Sequence, residues 1–349
     1  MGAEPMRVAV DAMGGDHGPS VVVPGAIEGA RTHGAGLILV GNLREVESAL
    51  RKTDHTGVDV SVLEATETIG MDDHPAQAVR RKPNNSISLA IKEVAEGRAG
   101  AMASAGNSGA VMAAALMILG RVRGIERPAI ATYVPTAKAR TLILDLGAVT
   151  DPKPSNMVQF ALMGQVYAER VLQLANPTIG LLSNGEEPTK GNQLVQQVFP
   201  LLAAMPDINF IGNVEGKDVA MGNVDIVVTD GFTGNVLLKT AEGVASMLTD
   251  FLRRELTATW PRKLAAAFLR PAFRELRAKV DYAEVGGAPL LGVNGPVIIS
   301  HGRSSERAIA NAIGVALRAA EHDLAGGVGE RIQRPQIEPA VATPAPVAS

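Results

Sequence analysis

The sequence predicts an α/β protein with a mostly parallel central sheet covered by helices on both faces, a three-layer α/β/α arrangement. The first observation is a series of short apolar runs rich in Val and Ile. They are nearly continuous rather than alternating, as buried parallel strands are. The second observation is that segments with helical periodicity lie between most of these runs. Strands that alternate with helices form βαβ units, and such units build parallel sheets.

These patterns also suggest how the chain is organised. We expect residues 1–325 to form a single large α/β domain, from which residues 248–280 protrude as an amphipathic helical segment. Residues 326–349 are rich in Ala, Pro and Val without a period, so we expect a disordered tail. The candidate strands are residues 8–10, 37–40, 58–63, 129–134, 142–146, 179–182, 226–228 and 297–299, and the candidate helices are 42–52, 86–96, 155–174, 192–204 and 304–324.

The composition excludes several function classes. With 349 residues, of which 46% are hydrophobic, the chain can bury a sizeable core. Its net charge of −3 argues against general nucleic-acid binding. The absence of cysteine removes disulfides, zinc–thiolate sites and a cysteine nucleophile. The six histidines lack metal-ligand spacing, and no Walker A or dinucleotide fingerprint follows a strand, so we expect neither metal nor cofactor.

Five polar, glycine-rich segments follow predicted strands and are candidate site loops. Because the carboxyl ends of parallel strands meet at one edge of a sheet, we expect the five loops to lie together there. Two of them lead straight into helices, whose first N–H groups and partial positive charge suit an anion. The loops are residues 11–17, 104–109, 147–151, 183–192 and 229–235.

Lys190 is the one basic residue of these loops that stands between a predicted strand and a predicted helix. In that place a lysine can bind phosphate or stabilise a developing oxyanion. The alternative is a surface ion pair with Glu186 or Glu187, which lie just before it. Spacing alone leaves both interpretations open.

The motifs in their order along the chain resemble a known family. They run from about residue 6 to 320, and their combined specificity is high. The motifs are residues 8–17, 75–80, 105–109, 144–147, 185–192, 212–216, 229–235 and 286–295. The resemblance is to the acyl-ACP:phosphate acyltransferases of bacterial phospholipid synthesis. Two departures from the family pattern are Val149, where an Asn is usual, and Ser183-Asn184 before Gly185.

The resemblance implies a fold like that of phosphotransacetylases and isopropylmalate dehydrogenases, and a homodimer. It implies transfer of a fatty acyl group from acyl carrier protein to inorganic phosphate, without a cofactor. The product is an acyl phosphate for a downstream glycerol-phosphate acyltransferase. A cytoplasmic protein associated peripherally with the membrane is expected.

By resemblance, Lys190 and Asn235 form the catalytic pair. Lys190 neutralises phosphate or the oxyanion, and Asn235 donates a hydrogen bond to the thioester oxygen. His17 is a candidate proton relay to the leaving thiol. The residues expected to bind phosphate or line the substrate site are Asp11, Gly14, Gly15, Asp16, Gly106, Asn107, Ser108, Gly109, Asp230 and Gly234.

Residues 248–279 combine eight basic and three acidic side chains with apolar ones. Such a mixture is typical of an amphipathic element on an anionic lipid surface. Packing on a second copy of the chain and docking of acidic acyl carrier protein are the alternatives. The expected membrane contacts are Trp260, Leu264, Phe268, Leu269 and Phe273.

Three other functions remain open. A phosphotransacetylase that uses acetyl-CoA would share the fold and the anion site. A dehydrogenase of the isopropylmalate type would share the fold, although no cluster of acidic residues is spaced for its metal. A membrane-associated scaffold without catalysis would need no Lys190.

Overall fold

The computed structural model describes residues 5–138, 140–273 and 286–334. Within these ranges, eleven strands form one sheet. The strands are β1 (Arg7–Asp11), β2 (Gly36–Gly41), β3 (Val60–Glu64), β4 (Ala101–Ser104), β5 (Ala129–Pro135), β6 (Arg140–Leu144), β7 (Thr178–Leu182), β8 (Asn209–Val214), β9 (Ile226–Val228), β10 (Ala288–Leu291) and β11 (Val297–Ile299). The helices are α1 (Pro19–His33), α2 (Leu43–Leu50), α3 (Pro75–Arg81), α4 (Ser86–Ala95), α5 (Ser108–Ile118), α6 (Pro154–Arg170), α7 (Gln193–Ala203), α8 (Gly216–Met221), α9 (Gly231–Thr257), α10 (Trp260–Phe268), α11 (Glu306–Glu321) and α12 (Leu324–Gln333).

The sheet consists of two parallel groups of strands that run in opposite directions. The first group has the order β3-β2-β1-β4-β11, and the second has the order β6-β9-β7-β8. Between them, β10 is antiparallel to both β11 and β5, and β5 is antiparallel to β6. Three reversals leave the second group antiparallel to the first.

The expectation that all five glycine-rich loops share one edge is therefore wrong. The loops after β1 and β4 leave the sheet at the edge where the first group ends. The loops after β6, β7 and β9 leave it at the opposite edge, which we call the second-group edge. The reason is β10, an unpredicted strand inside the 286–295 motif. With β10 in the sheet, the number of antiparallel pairings between the two groups is odd, so the groups run in opposite directions.

Alternate residues of each strand face opposite helical layers. Val8 and Val10 pack with α1 and α11, whereas Ala9 packs with α4 and α5. In the second group, Leu144 packs with α6 and α7, whereas Ile143 packs with the start of α9. Helices therefore cover both faces of a mostly parallel sheet, and the predicted three-layer α/β/α fold is confirmed.

Helix α1 was not predicted, because it contains Pro24, Gly25 and Gly29, which are typical helix breakers. The two glycines allow α1 to cross close to α11. A Cβ on Gly25 would lie 2.5 Å from the Glu306 carbonyl oxygen, and one on Gly29 would lie 2.8 Å from that of Ala310. Packing of the two helices outweighs the poor helix propensity.

The expectation of a disordered tail from residue 326 is wrong for its first part. Residues up to 333 belong to α12, which packs on α6. Leu324 and Val328 are buried in the same apolar cluster as Phe160. Glycines at 326, 327 and 329 hide this helix in the sequence. The rest of the predicted tail, residues 335–349, lies outside the described residues.

Helices α9 and α10 are largely exposed, and residues 248–273 of the predicted protruding segment 248–280 belong to the part of the chain that the structure describes. Of these two fully described helices, only Gly231 and Gly234 are buried. No described helix is both long enough and apolar enough to span a bilayer. The basic and acidic residues that the sequence places at 274–279 lie outside the described residues.

Candidate active site

Asp11 ends β1 and is almost fully buried beneath the loops at the first-group edge. Its carboxylate accepts hydrogen bonds from Ser104 Oγ at 2.6 Å and from the Met13 N–H at 3.2 Å. Burial raises the pKa of Asp11 above its ordinary value, although these hydrogen bonds oppose the rise. A Cβ on Gly14 would lie 2.8 Å from Asp11 Oδ2 and 2.7 Å from the Gly106 nitrogen. The loops after β1 and β4 thus pack directly on each other.

Asn107 is the N-cap of α5, and its side chain holds the protein rather than a ligand. Its Oδ1 accepts a hydrogen bond from the Ala110 N–H at 3.0 Å. Its Nδ2 donates to three carbonyl oxygens of loop 70–73, at 3.0 to 3.3 Å. Any anion binding at α5 therefore depends on the first-turn N–H groups of Ser108 and Gly109, which have no partner within the helix.

The remaining predicted residues of the first loop lie at the same edge. Gly15 has φ +84°, where an L side chain is strained. The Asp16 N–H donates to the Gly302 carbonyl oxygen at 2.8 Å, and the Asp16 carboxylate lies 3.9 Å from Arg303 Nε. His17 is exposed. This edge holds the predicted His17 but neither Lys190 nor Asn235.

Asp145 organises the second-group edge. It follows β6, is completely buried, and its carboxylate accepts four backbone N–H groups. Burial raises its pKa, and the four hydrogen bonds oppose the rise. The contacts fix the backbone of loop 145–149. The donors are Ile130 at 3.0 Å, Leu146 at 2.6 Å, Ala148 at 3.2 Å and Val149 at 2.6 Å.

The first turn of α9 lies directly on this loop. The Gly231 N–H donates to the Val149 carbonyl oxygen at 2.9 Å. Gly234 faces Asp145 so closely that a Cβ would overlap the Asp145 carbonyl oxygen. A glycine at 234 is therefore required for α9 to begin where it does.

Asn235 and Lys190 flank the start of α9. The exposed Asn235 side chain lies over the loop after β6, with its Cγ and Nδ2 4.0 Å from the position that a Cβ on Gly147 would take. Lys190 belongs to the loop after β7. Because β9 lies between β6 and β7 in the sheet, α9 begins between these two loops.

Lys190 is exposed, and its aliphatic stem packs over Gly185, where a Cβ would lie 2.8 Å from Lys190 Cγ. Glu186 pairs with Lys217 instead, at 3.0 Å. Among the described residues, no carboxylate forms an ion pair with Lys190. The surface ion pair offered as the alternative for Lys190 is therefore not formed, and its ammonium group is open to a ligand.

Two of the helices that begin at this edge, α9 and α7, differ in the charge at their N-terminal caps. At the start of α9, the Asp230 carboxylate accepts hydrogen bonds from the Thr233 N–H at 2.8 Å and Oγ1 at 2.6 Å. At the start of α7, the neutral Asn192 Oδ1 accepts one from the Val195 N–H at 3.0 Å. A carboxylate at a helix start repels an anion, so the start of α7, two residues after Lys190, is the more favourable place for one.

Two adjoining cavities lie around these helix starts. The larger has a volume of about 710 Å³ and lies between α7 and α9. The smaller, of about 590 Å³, reaches residues 150–152 of the loop after β6. Their walls share Asn192, Leu194, Asp230 and Thr233. The cavities thus connect the side of α9 near Lys190 with the loop on which Asn235 lies.

Both departures from the family pattern occur at this edge. The backbone of Val149 makes the contacts to Asp145 and Gly231 that were described above, so the absence of the usual Asn side chain leaves them intact. Asn184 Oδ1 accepts a hydrogen bond from the Gly191 N–H at 2.9 Å and so closes the loop that carries Lys190.

The structure thus divides the predicted site residues between two edges. Lys190, Asn235, Asp230 and Gly234 come together at the second-group edge, whereas residues 11–17 and 106–109 lie at the other. Sequence reasoning missed Asp145 as a positioning residue. An acidic residue directly after an apolar run was the available signal, because a buried carboxylate needs several donors.

Known proteins match this chain over most of its length. The sequence model of a family described as "fatty acid synthesis protein" matches residues 6–326. A phosphate acyltransferase of Pelobacter propionicus is 46% identical over 333 residues, covering 95% of this chain and 96% of the relative. One of Desulfitobacterium hafniense is 50% identical over 317 residues, covering 90% and 94%. A solved phosphotransacetylase from Streptococcus pyogenes has a TM-score of 0.62 at 18% identity, covering 91% and 95%, and confirms the predicted fold.

The position of α9 is tested by two matched glycine substitutions within that helix. Gly234→Ala should lower the free energy of unfolding by about 1–3 kcal/mol, because the methyl group displaces α9 from Asp145. Gly243→Ala places its methyl group in open space and should raise stability by about 0.5–1 kcal/mol. Urea unfolding of both variants measures this. A Gly234→Ala protein as stable as Gly243→Ala would show that the close contact is absent.

Proposed function

Because this chain belongs to the phosphate acyltransferase family of fatty acid and phospholipid synthesis, we propose that it transfers a fatty acyl group from acyl carrier protein to inorganic phosphate. The observation that carries the proposal is the open ammonium group of Lys190, next to the neutral start of α7 and beside a cavity with apolar walls. An anion and an alkyl chain can bind side by side there. Such a pairing suits phosphate and a fatty acyl donor.

The reaction needs no acyl-enzyme, because phosphate is itself a nucleophile. An oxygen of dihydrogen phosphate attacks the thioester carbonyl carbon, and the carbonyl oxygen takes on negative charge. The C–S bond then breaks, and the thiolate takes the proton released by phosphate. The products are an acyl phosphate and the free carrier thiol, so the enzyme's work is positioning and charge stabilisation.

Each member of the proposed pair has one role. Lys190 binds phosphate and neutralises its charge as it approaches the thioester. Asn235 donates a hydrogen bond from Nδ2 to the thioester oxygen. Asp145 is a positioning residue, because it holds the loop on which the first turn of α9 rests. The relay role of His17 and the phosphate contacts of residues 106–109 stay predictions, since those residues lie at the other edge.

We also propose that α9 and α10 place the protein on an anionic membrane surface. Phe268 is 85% exposed and Trp260 is 73% exposed, and Leu264 and Leu269 are exposed beside them, while Phe273 is half-buried. Basic side chains accompany them, as in helices that lie in an anionic lipid interface. The product's alkyl chain favours lipid by about 0.8 kcal/mol for each CH₂ group.

The homodimer and the downstream acyltransferase stay predictions.

The catalytic pair is tested by steady-state release of the carrier thiol from palmitoyl-acyl carrier protein. Lys190→Ala and Asn235→Ala should each lower kcat by about 10²–10³, the usual effect of removing one group that stabilises an oxyanion. Lys190→Ala should also raise the KM for phosphate. Lys52→Ala, at an exposed lysine in the turn between α2 and β3, is the control and should leave both constants unchanged.

Near-normal turnover of both variants at saturating phosphate would contradict the assignment. Activity of the unaltered protein with acetyl-CoA but not with acyl carrier protein would favour a phosphotransacetylase. Absence of activity with both donors would favour a scaffold.

Membrane association is tested by sedimentation with vesicles of phosphatidylglycerol and phosphatidylcholine. Phe268→Glu should weaken binding at least about tenfold, because it replaces an apolar side chain that would insert into the lipid by a negative charge that anionic lipid repels. Met221→Glu is the matched control, since Met221 is an exposed apolar residue of α8 and belongs to neither α9 nor α10. Equal binding of the two variants, or no binding by the unaltered protein, would overturn the proposal.

A further inference from the structure

The larger cavity is lined by both polar and apolar residues. Of the polar ones, Ser183, Asn184 and Gly191 belong to the loop that carries Lys190. Ser183 Oγ is buried there and has no hydrogen-bond partner among the described residues. A buried hydroxyl without a partner costs free energy, so it is a donor suited to the polar head of a ligand.

Apolar side chains from four elements also wall the cavity. Leu182 ends β7, and Met157 comes from the first turn of α6. Leu194 and Val195 line the α7 side, and Leu237 lines the α9 side together with Val236. A wall of this composition excludes water-soluble groups and suits an unbranched alkyl chain.

Helix α9 extends this apolar wall beyond the cavity. Thr233, Val236, Leu237 and Thr240 line it at helical spacing, so they share one face of α9. The same face continues through three exposed apolar residues. From Gly231 to Thr240 the helix rises about 14 Å, and Thr240 marks the far end of the cavity. The exposed residues are Val244, Met247 and Phe251.

We propose that this cavity binds the alkyl chain of the acyl donor, with the thioester end at Ser183 and the chain running along α9 past Thr240. The inference rests on the proposed function and names its acyl-chain site. The orientation follows from two observations: the loop that carries Lys190, where phosphate would react, lines the cavity at Ser183, and α9 leads from its start beside that loop to Thr240. The far end leads along α9 toward α10, so a long chain leaves the cavity on the side that carries the membrane-contact residues.

The site is tested by blocking its far end. Thr240→Trp places a large ring where a long chain must pass, whereas a short chain ends before it. For palmitoyl-acyl carrier protein, kcat/KM should fall at least about tenfold, while the value for octanoyl-acyl carrier protein should stay within about twofold. Thr249→Trp is the control. It makes the same change at an exposed threonine of α9 that faces away from the cavity, and it should leave both values unchanged.

The outcomes separate this inference from the proposed function. If Thr240→Trp lowers activity equally for both chain lengths, or for neither, the acyl chain does not pass Thr240 and the inference is overturned. If the unaltered protein releases no carrier thiol with either donor, the proposed function itself fails. Because Thr240 is exposed, the substitution does not disturb the core, and a circular dichroism spectrum equal to that of Thr249→Trp verifies this.

Discussion

The packing of α9 on the loop after β6 is the contact on which the proposed site depends. Asp145 gathers four N–H groups and so holds that loop in a fixed shape, and Gly234 lets the helix begin against it. The first two turns of α9 carry Asn235 and also line the larger cavity through Thr233, Val236 and Leu237. A shift of α9 would therefore move the proposed oxyanion donor, the proposed acyl-chain wall and α10 together.

Charge distribution distinguishes three of the helix starts that follow the site loops, those of α5, α7 and α9. Helix α5 has a neutral cap, but its asparagine is occupied with loop 70–73. Helix α9 has a carboxylate cap, which disfavours a second anion. Helix α7 combines a neutral cap with a lysine two residues upstream that has no ion pair among the described residues. Of these three helix starts, electrostatics thus favours the start of α7, beside Lys190, as the place for phosphate.

The sequence predicted the fold class well, because buried parallel strands leave a strong signal in continuous apolar runs. It did not predict β10, which contains Pro289 and lies in a glycine-rich motif, and that one strand decides which loops share an edge. Glycines likewise concealed α1 and α12, where close helix packing outweighs propensity. Lys190 was singled out by its place between a strand and a helix, and its pairing with Asn235 was predicted from the family resemblance, whereas the roles of Asp145 and Asn192 depend on hydrogen bonds that no sequence pattern reveals.

Direct attack by phosphate on the thioester is the step on which the proposed function depends. Rapid quenching with enzyme in excess over palmitoyl-acyl carrier protein, with and without phosphate, tests this step. Release of the carrier thiol should require phosphate, and the acyl group should be recovered as an acyl phosphate that hydroxylamine traps. A stoichiometric burst of carrier thiol without phosphate would reveal an acyl-enzyme and contradict direct attack.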